Sequence, residues 1–188
     1  MLKISLLAIL LTMSFMVTEA LSVENDLLSE SRQIVKQFGG ELKGEMLSSL
    51  KEGGPINAIS VCSQRAPAIA ETISQGKDWK VARKSLKFRN PDNAPDTWEQ
   101  KILESFEERR AKGEDVGRME HHEVLNVEGK QVFHYMKAIP VGEPCLTCHG
   151  KQIQQDLKTS LKDLYPEDQS TGFSLGEILG AFSVTISM

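Results

Sequence analysis

Residues 118–150 read RMEHHEVLNVEGKQVFHYMKAIPVGEPCLTCHG. The stretch divides at Glu128-Gly129-Lys130 into arms over residues 118–127 and 131–139. A short polar break with a glycine, set between runs rich in β-branched and aromatic residues, predicts an antiparallel hairpin. The second arm carries Val132, Phe133, Tyr135 and Ile139 and leads directly into Cys145-Leu146-Thr147-Cys148-His149. The hairpin supplies a sheet, and the segment behind it supplies a chemically distinctive loop.

Upstream of the hairpin the pattern is helical. Leu27, Leu28, Ile34, Val35, Phe38, Leu42, Met46, Leu47 and Leu50 recur at helical spacing, with room for a kink at Gly39-Gly40. Gly53-Gly54 closes this helix and Pro55 suits the first turn of the next, whose stripe is Ile56, Ile59, Cys62, Ala66, Ile69 and Ile73. Cys62 thus faces the core, and Pro67 predicts a kink or break just after it. Gly76 ends the helix, and residues 79–88 read as a strand running into the turn-rich segment 89–96. Asp96 with Glu99 makes a capping box for a helix that buries Trp98, Ile102, Leu103 and Phe106 and ends near Ala111. Beyond the cysteine loop come a helix over 152–164, a loop over 165–172 and a closing strand over 180–187 with Phe182, Val184 and Ile186 on one face. Leading helices packed on an antiparallel sheet define an α+β fold. No internal repeat or low-complexity stretch supports a second unit, so residues 23–188 are expected to form a single domain.

The 188 residues, 40% hydrophobic with a net charge of −4, suit one ordinary core. The charge is spread along the chain, which offers no basic footprint for nucleic acid and no polybasic membrane patch. Residues 1–22 read as a secretory signal peptide. Lys3 gives a positive start, residues 4–17 are apolar, and Thr18-Glu19-Ala20 places cleavage near Ala20. The run is short against the ~20 residues of a transmembrane helix. The expectation is therefore a periplasmic or otherwise exported protein without stable membrane insertion after cleavage, or a membrane-anchored one if the signal stays on. No cysteine follows the apolar run, which argues against a lipoprotein anchor.

Three cysteines are an awkward number for an oxidising compartment, where thiols are consumed in pairs. Two of them form C-x-x-C-H, the attachment motif of a c-type haem: Cys145 and Cys148 add across the vinyl groups, and the adjacent His149 reaches the iron. A redox dithiol needs a thioredoxin-like βαβ context and a zinc knuckle a second ligand pair, and neither is present; a plain disulfide is the bland alternative. For the opposite axial position the sequence offers Cys62, Met119, His121, His122, His134 and Met136. Taken singly, the methionines suit packing and the histidines solvated or hydrogen-bonded roles. Cys62 reads equally as a small core hydrophobe and as a thiolate ligand. Arg83, Lys84, Arg89 and Lys151 could neutralise haem propionates, although solvated surface charge is the commoner fate of such residues.

Three segments taken together resemble a bacterial family of single-haem c-type proteins with a PAS-like fold. They are Arg89-Asn90-Pro91 with Asn93 through Glu99, then Cys145 through Gly150, then Tyr165-Pro166 onward to Gly176, Gly180 and Ala181. The likeness spans nearly the whole mature chain. It implies N-terminal helices on a PAS-like sheet, one covalently attached haem, and a cysteine from an N-terminal helix as the second axial ligand, here Cys62 opposite His149. With both axial positions filled, the resemblance implies electron transfer or redox and ligand sensing through an unidentified redox or signalling partner. The alternative is a haem enzyme or gas-binding protein whose distal ligand dissociates to open the iron. A purely structural haem in an interaction protein is a third reading.

Overall fold

The computed structural model describes the backbone of residues 2–188 and the side chains of residues 22–188. Apart from Ser22, the signal-peptide reading of residues 1–22 lies outside the residues described with side chains. Helix α1 (Leu2–Ser60) contains one non-helical residue, Gly54, at φ 72° and ψ −170°, and Pro55 restarts the helix behind it. Only a residue without a Cβ takes that conformation cheaply, so the Gly53-Gly54 stop is real. The kink foreseen at Gly39-Gly40 is not there. Gly39 serves close packing instead: a Cβ on it would lie 3.0 Å from the Phe182 ring.

A single wide, π-type turn, Val61–Arg65, follows and carries Cys62. It leads into α2 (Ala66–Ser74), with Pro67 accommodated in the first turn, where its missing N–H costs no helical bond. The break expected next to Cys62 is therefore a widening of the helix that includes it. Strand β1 (Trp79–Lys84) stops four residues short of the expected end. Helix α3 (Thr97–Ala111) begins at the capping box: Asp96 accepts from the Glu99 amide at 2.8 Å, and Glu99 accepts from the Asp96 amide at 3.0 Å.

Strands β2 (Glu120–Val127) and β3 (Lys130–Pro140) form the hairpin. Its turn residues Glu128 and Gly129 both have positive φ, 52° and 83°, the twist that suits a two-residue connection. Helix α4 (Leu146–His149), helix α5 (Gln155–Leu164) and strand β4 (Ile178–Ser187) complete the described chain. The four strands form one antiparallel sheet in the order β1-β4-β3-β2.

The two faces of the sheet bury different helices, as period-two alternation requires. Phe133, Tyr135, Val184 and Ile186 pack against Ile34, Val35, Phe38 and Leu42 of α1. Met136, Ala138 and Ala181 pack against Ile102, Leu103 and Phe106 of α3. Phe38 meets Phe182 edge-on at 5.4 Å. Ile59 of α1 joins Leu157, Leu161 and Tyr165 in a third, smaller cluster beneath α5. The result is the α+β architecture the sequence predicts, with helices on a four-stranded antiparallel sheet in keeping with PAS-like packing. Where β4 begins, Gly180 passes so close to β1 that a Cβ would fall 2.4 Å from the Lys84 carbonyl oxygen. Gly180→Ala is accordingly expected to destabilise the fold by about 1–3 kcal/mol through forced strand separation. Denaturant unfolding measures this, and an unchanged midpoint would contradict the tight crossing.

Candidate functional site

The C-x-x-C-H segment is helical throughout. A 3-10 turn, Glu143–Cys145, runs directly into α4, so Cys145, Cys148 and His149 stand at i, i+3 and i+4 of one helical stretch and share a side. That side lines a cavity of about 400 Å³ whose other walls include Leu42, Met46, Ile59, Leu179, Phe182 and Cys62. The volume lies within the range of ligand pockets, and the lining is mainly apolar. All three cysteines are free thiols. Burial pushes the Cys148 thiol above its ordinary pKa, with Arg89 acting in the opposite direction.

The His149 ring is held in one tautomer. Its Nδ1 lies 2.7 Å from the Ser170 carbonyl oxygen and 2.9 Å from Ser170 Oγ. A carbonyl only accepts, so Nδ1 carries the proton and Nε2 keeps a bare lone pair. Burial, aided by the nearby Arg89 charge, lowers the imidazole pKa to about 4, so His149 is neutral at physiological pH. A neutral ring tied to a carbonyl through one nitrogen is the usual state of a metal-ligating histidine.

The partner loop is itself anchored. Arg89, buried, donates from Nε to Asp168 at 3.0 Å, and from Nη2 to the carbonyls of Cys148 at 2.7 Å and Ser170 at 3.1 Å. Asp168 accepts from the Ser170 amide at 2.8 Å. The amides of Gly172 and Phe173 donate to the carbonyls of Gly150 and His149, each at 3.0 Å. Sequence reasoning missed this latch and gave Arg89 the character of a surface charge. Its partners lie 59 to 81 residues away, so no local pattern could reveal it.

Of the six candidates for the position opposite His149, Cys62 alone lines the cavity. Met119 and Met136 are fully buried in the α3 cluster on the other face of the sheet. His121 and His134 surround Trp98, with ring centroids at 6.0 and 4.7 Å. His122 lies 3.5 Å from Glu24 and beside Phe133. Met46 of α1, a thioether absent from those six, also borders the cavity, as does Tyr165. Among the four basic candidates, Lys84 is spent on the Ala94 carbonyl at 2.9 Å and on Glu99 at 3.5 Å, and Lys151 is exposed. Arg83 faces the cavity. Among the described residues no three His, Cys, Asp or Glu side chains converge closely enough to hold a metal ion by themselves.

The model of the Tll0287-like family matches residues 14–187. Among solved structures, that of the cyanobacterial heme-protein Tll0287 aligns with a TM-score of 0.67 over 87% of this chain and 96% of that one. At 23% identity this is a likeness of fold. No curated protein matches the chain.

The latch makes a quantitative expectation. Arg89→Met leaves the largely buried Asp168 without its cation and the Cys148 carbonyl without its side-chain donor, a change expected to cost about 3–5 kcal/mol. The more exposed Arg110→Met is expected to stay within about 0.5 kcal/mol of the parent. Chemical denaturation of both variants compares them, and equal effects would rule out a structural role for the Arg89 pairing.

Proposed function

We propose that this chain, which belongs to the Tll0287-like family, is an exported protein that holds one covalently attached c-type haem. In this reading His149 and Cys62 are the axial ligands, and the protein transfers single electrons or senses redox state. The observation that carries the reading is the shared cavity: the C-x-x-C-H side chains and Cys62, the only free cysteine outside the motif, line the same largely apolar space. Two protein donors are too few for a bare ion, whereas a haem would bring the remaining donors itself, with His149 and Cys62 to hold it. The fold relative is itself a heme-protein, which agrees with this.

A bound haem contributes a one-electron ferric/ferrous couple. The rest is the work of the chain. Cys145 and Cys148 provide the thioether links, and Ser170 orients His149 so that Nε2 points its lone pair away from the loop. Leu42, Ile59, Leu179 and Phe182 keep water from the cavity walls. Bound through its sulfur as a thiolate, Cys62 would favour the ferric state and a low reduction potential. With both His149 and Cys62 holding the haem, no coordination position would be left open for a substrate, which favours electron transfer or sensing over catalysis. Electrons or signals then pass to a separate redox or signalling protein. Residues 4–17 provide the export signal that takes the chain to a compartment where c-type haem is attached. Among the described residues no helix is long and apolar enough to cross a membrane.

Mass spectrometry of the exported protein is expected to show one haem that survives acid denaturation, and the chain lacking residues 1–22 is expected to accumulate without it. Haem that extracts into organic solvent would exclude covalent attachment. Cys62→Ser is expected to keep the haem, lose the low-spin imidazole–thiolate ferric spectrum, and raise the potential by more than about 60 mV, a tenfold shift for a one-electron couple. Met46→Leu is expected to leave the spectrum unchanged. If the two variants behave the other way round, Met46 and not Cys62 is the ligand.

A further inference from the structure

The basic side chains near the cavity are not equivalent. Lys84 is bound to Ala94 and Glu99, Lys87 donates to the Thr171 carbonyl at 2.6 Å, and Arg89 is committed to its three partners. Lys43 of α1 borders the cavity but is exposed, so water serves its charge. Arg83, at the end of β1, has no hydrogen-bond or ion-pair partner among the described residues. It is half-buried and lines the cavity together with Cys62 and Tyr165. A half-buried guanidinium on the cavity wall with no counter-ion from the protein is one that a carboxylate in the cavity can pair with.

Position says which carboxylate. A second, smaller cavity of about 70 Å³ shares Cys62, Arg83, His149 and Tyr165 with the large one but touches neither Cys145 nor Cys148. It continues instead toward Lys84, Lys87, Asn90 and Asn93. On a c-type haem, the two former vinyl groups occupy one edge of the ring and the two propionates the opposite edge. If the vinyl edge is fixed at Cys145 and Cys148, the propionate edge lies on the far side of the axial pair, where this smaller cavity opens.

We infer that Arg83 is the anchor of a haem propionate, its fork of N–H donors closing on the carboxylate beside Cys62. The assignment rests on the reading of the cavity as a haem site. A planar guanidinium matches a carboxylate through two parallel hydrogen bonds, which a single sulfur atom cannot offer. The same pairing would give the half-buried Arg83 a counter-ion and fix the rotation of the ring in the cavity.

The test compares holoprotein with Arg83→Met and Arg83→Lys. Resonance Raman spectra of Arg83→Met are expected to show a displaced propionate bending band and an unmoved iron–sulfur stretching band, and Arg83→Lys a smaller displacement. Losing the cation stabilises the ferric state, so at a fixed poise the ferric-to-ferrous ratio is expected to rise at least about threefold in Arg83→Met. Should Arg83→Met fail to accumulate, Arg83→Lys decides the matter, because it keeps the charge and removes the fork. A propionate band unmoved in the variants, with the iron–sulfur band displaced, would assign Arg83 to the Cys62 sulfur and overturn the proposal. Both bands and the redox ratio unmoved would make Arg83 a solvated charge and overturn it equally. Absence of covalent haem from the unmutated protein would overturn the haem reading itself, an outcome visible by mass before any variant is made.

Discussion

The pairing of Arg89 with Asp168 at 3.0 Å joins three stretches that are remote in sequence: the turn after β1, the C-x-x-C-H segment and the loop before β4. Taken alone, a buried ion pair returns little net stability, because each charge gives up its hydration. Its consequence here is geometrical. Arg89 fixes the Ser170 carbonyl, Ser170 fixes the Nδ1 proton of His149, and the His149 lone pair acquires a direction. Removing Arg89 takes away the bonds that tie both the Cys148 and the Ser170 carbonyl to the turn after β1. For that reason the latch matters more to the site than any apolar contact in the cavity wall.

The opposite wall depends on backbone conformation. Gly54 breaks α1, and the wide turn Val61–Arg65 then resets the phase of the helix before α2. An unbroken α-helix through this region would carry the stripe of Ile59, Ala66 and Ile69 at constant pitch, whereas the extra backbone atoms of a π-type turn displace the residues within it. Cys62 sits in that turn, half-buried, and borders the cavity, while its neighbour Val61 is buried in the α1 core. Such turns occur often at functional sites because they are held only where surrounding packing outweighs the poorer hydrogen bonding.

How much of this was legible depended on whether the signal was local. The hairpin, the Asp96–Glu99 box, the Gly53-Gly54 stop and the alternation of Phe182, Val184 and Ile186 are short-range patterns, and each appears in the fold. The C-x-x-C-H spacing is of the same kind. Gly39 was misleading because a glycine in a helix signals either a bend or a close approach, and the difference lies in Phe182, on a strand far along the chain. Arg89 and Lys84 resembled solvated charges for a similar reason, their partners being supplied by other elements. Met119, Met136, His121 and His134 could be separated from Cys62 only once β2 and β3 had assigned them to the α3 face of the sheet.

The size of the cavity bears on how the domain reaches this state. A fully enclosed apolar void of about 400 Å³ would cost up to about 10 kcal/mol at ~24 cal/mol per Å³. That is the magnitude of an entire domain's stability. This cavity opens to solvent, so its cost is well below that bound, and a ligand that fills it contributes its binding energy directly to folding. The polar latch then has a second use. Arg89 lines the cavity, but its hydrogen bonds to Asp168, Cys148 and Ser170 are made within the protein and need no occupant. The loop carrying His149 can thus be set before the cavity is filled, while the apolar walls from α1 and β4 gain their full packing only afterwards.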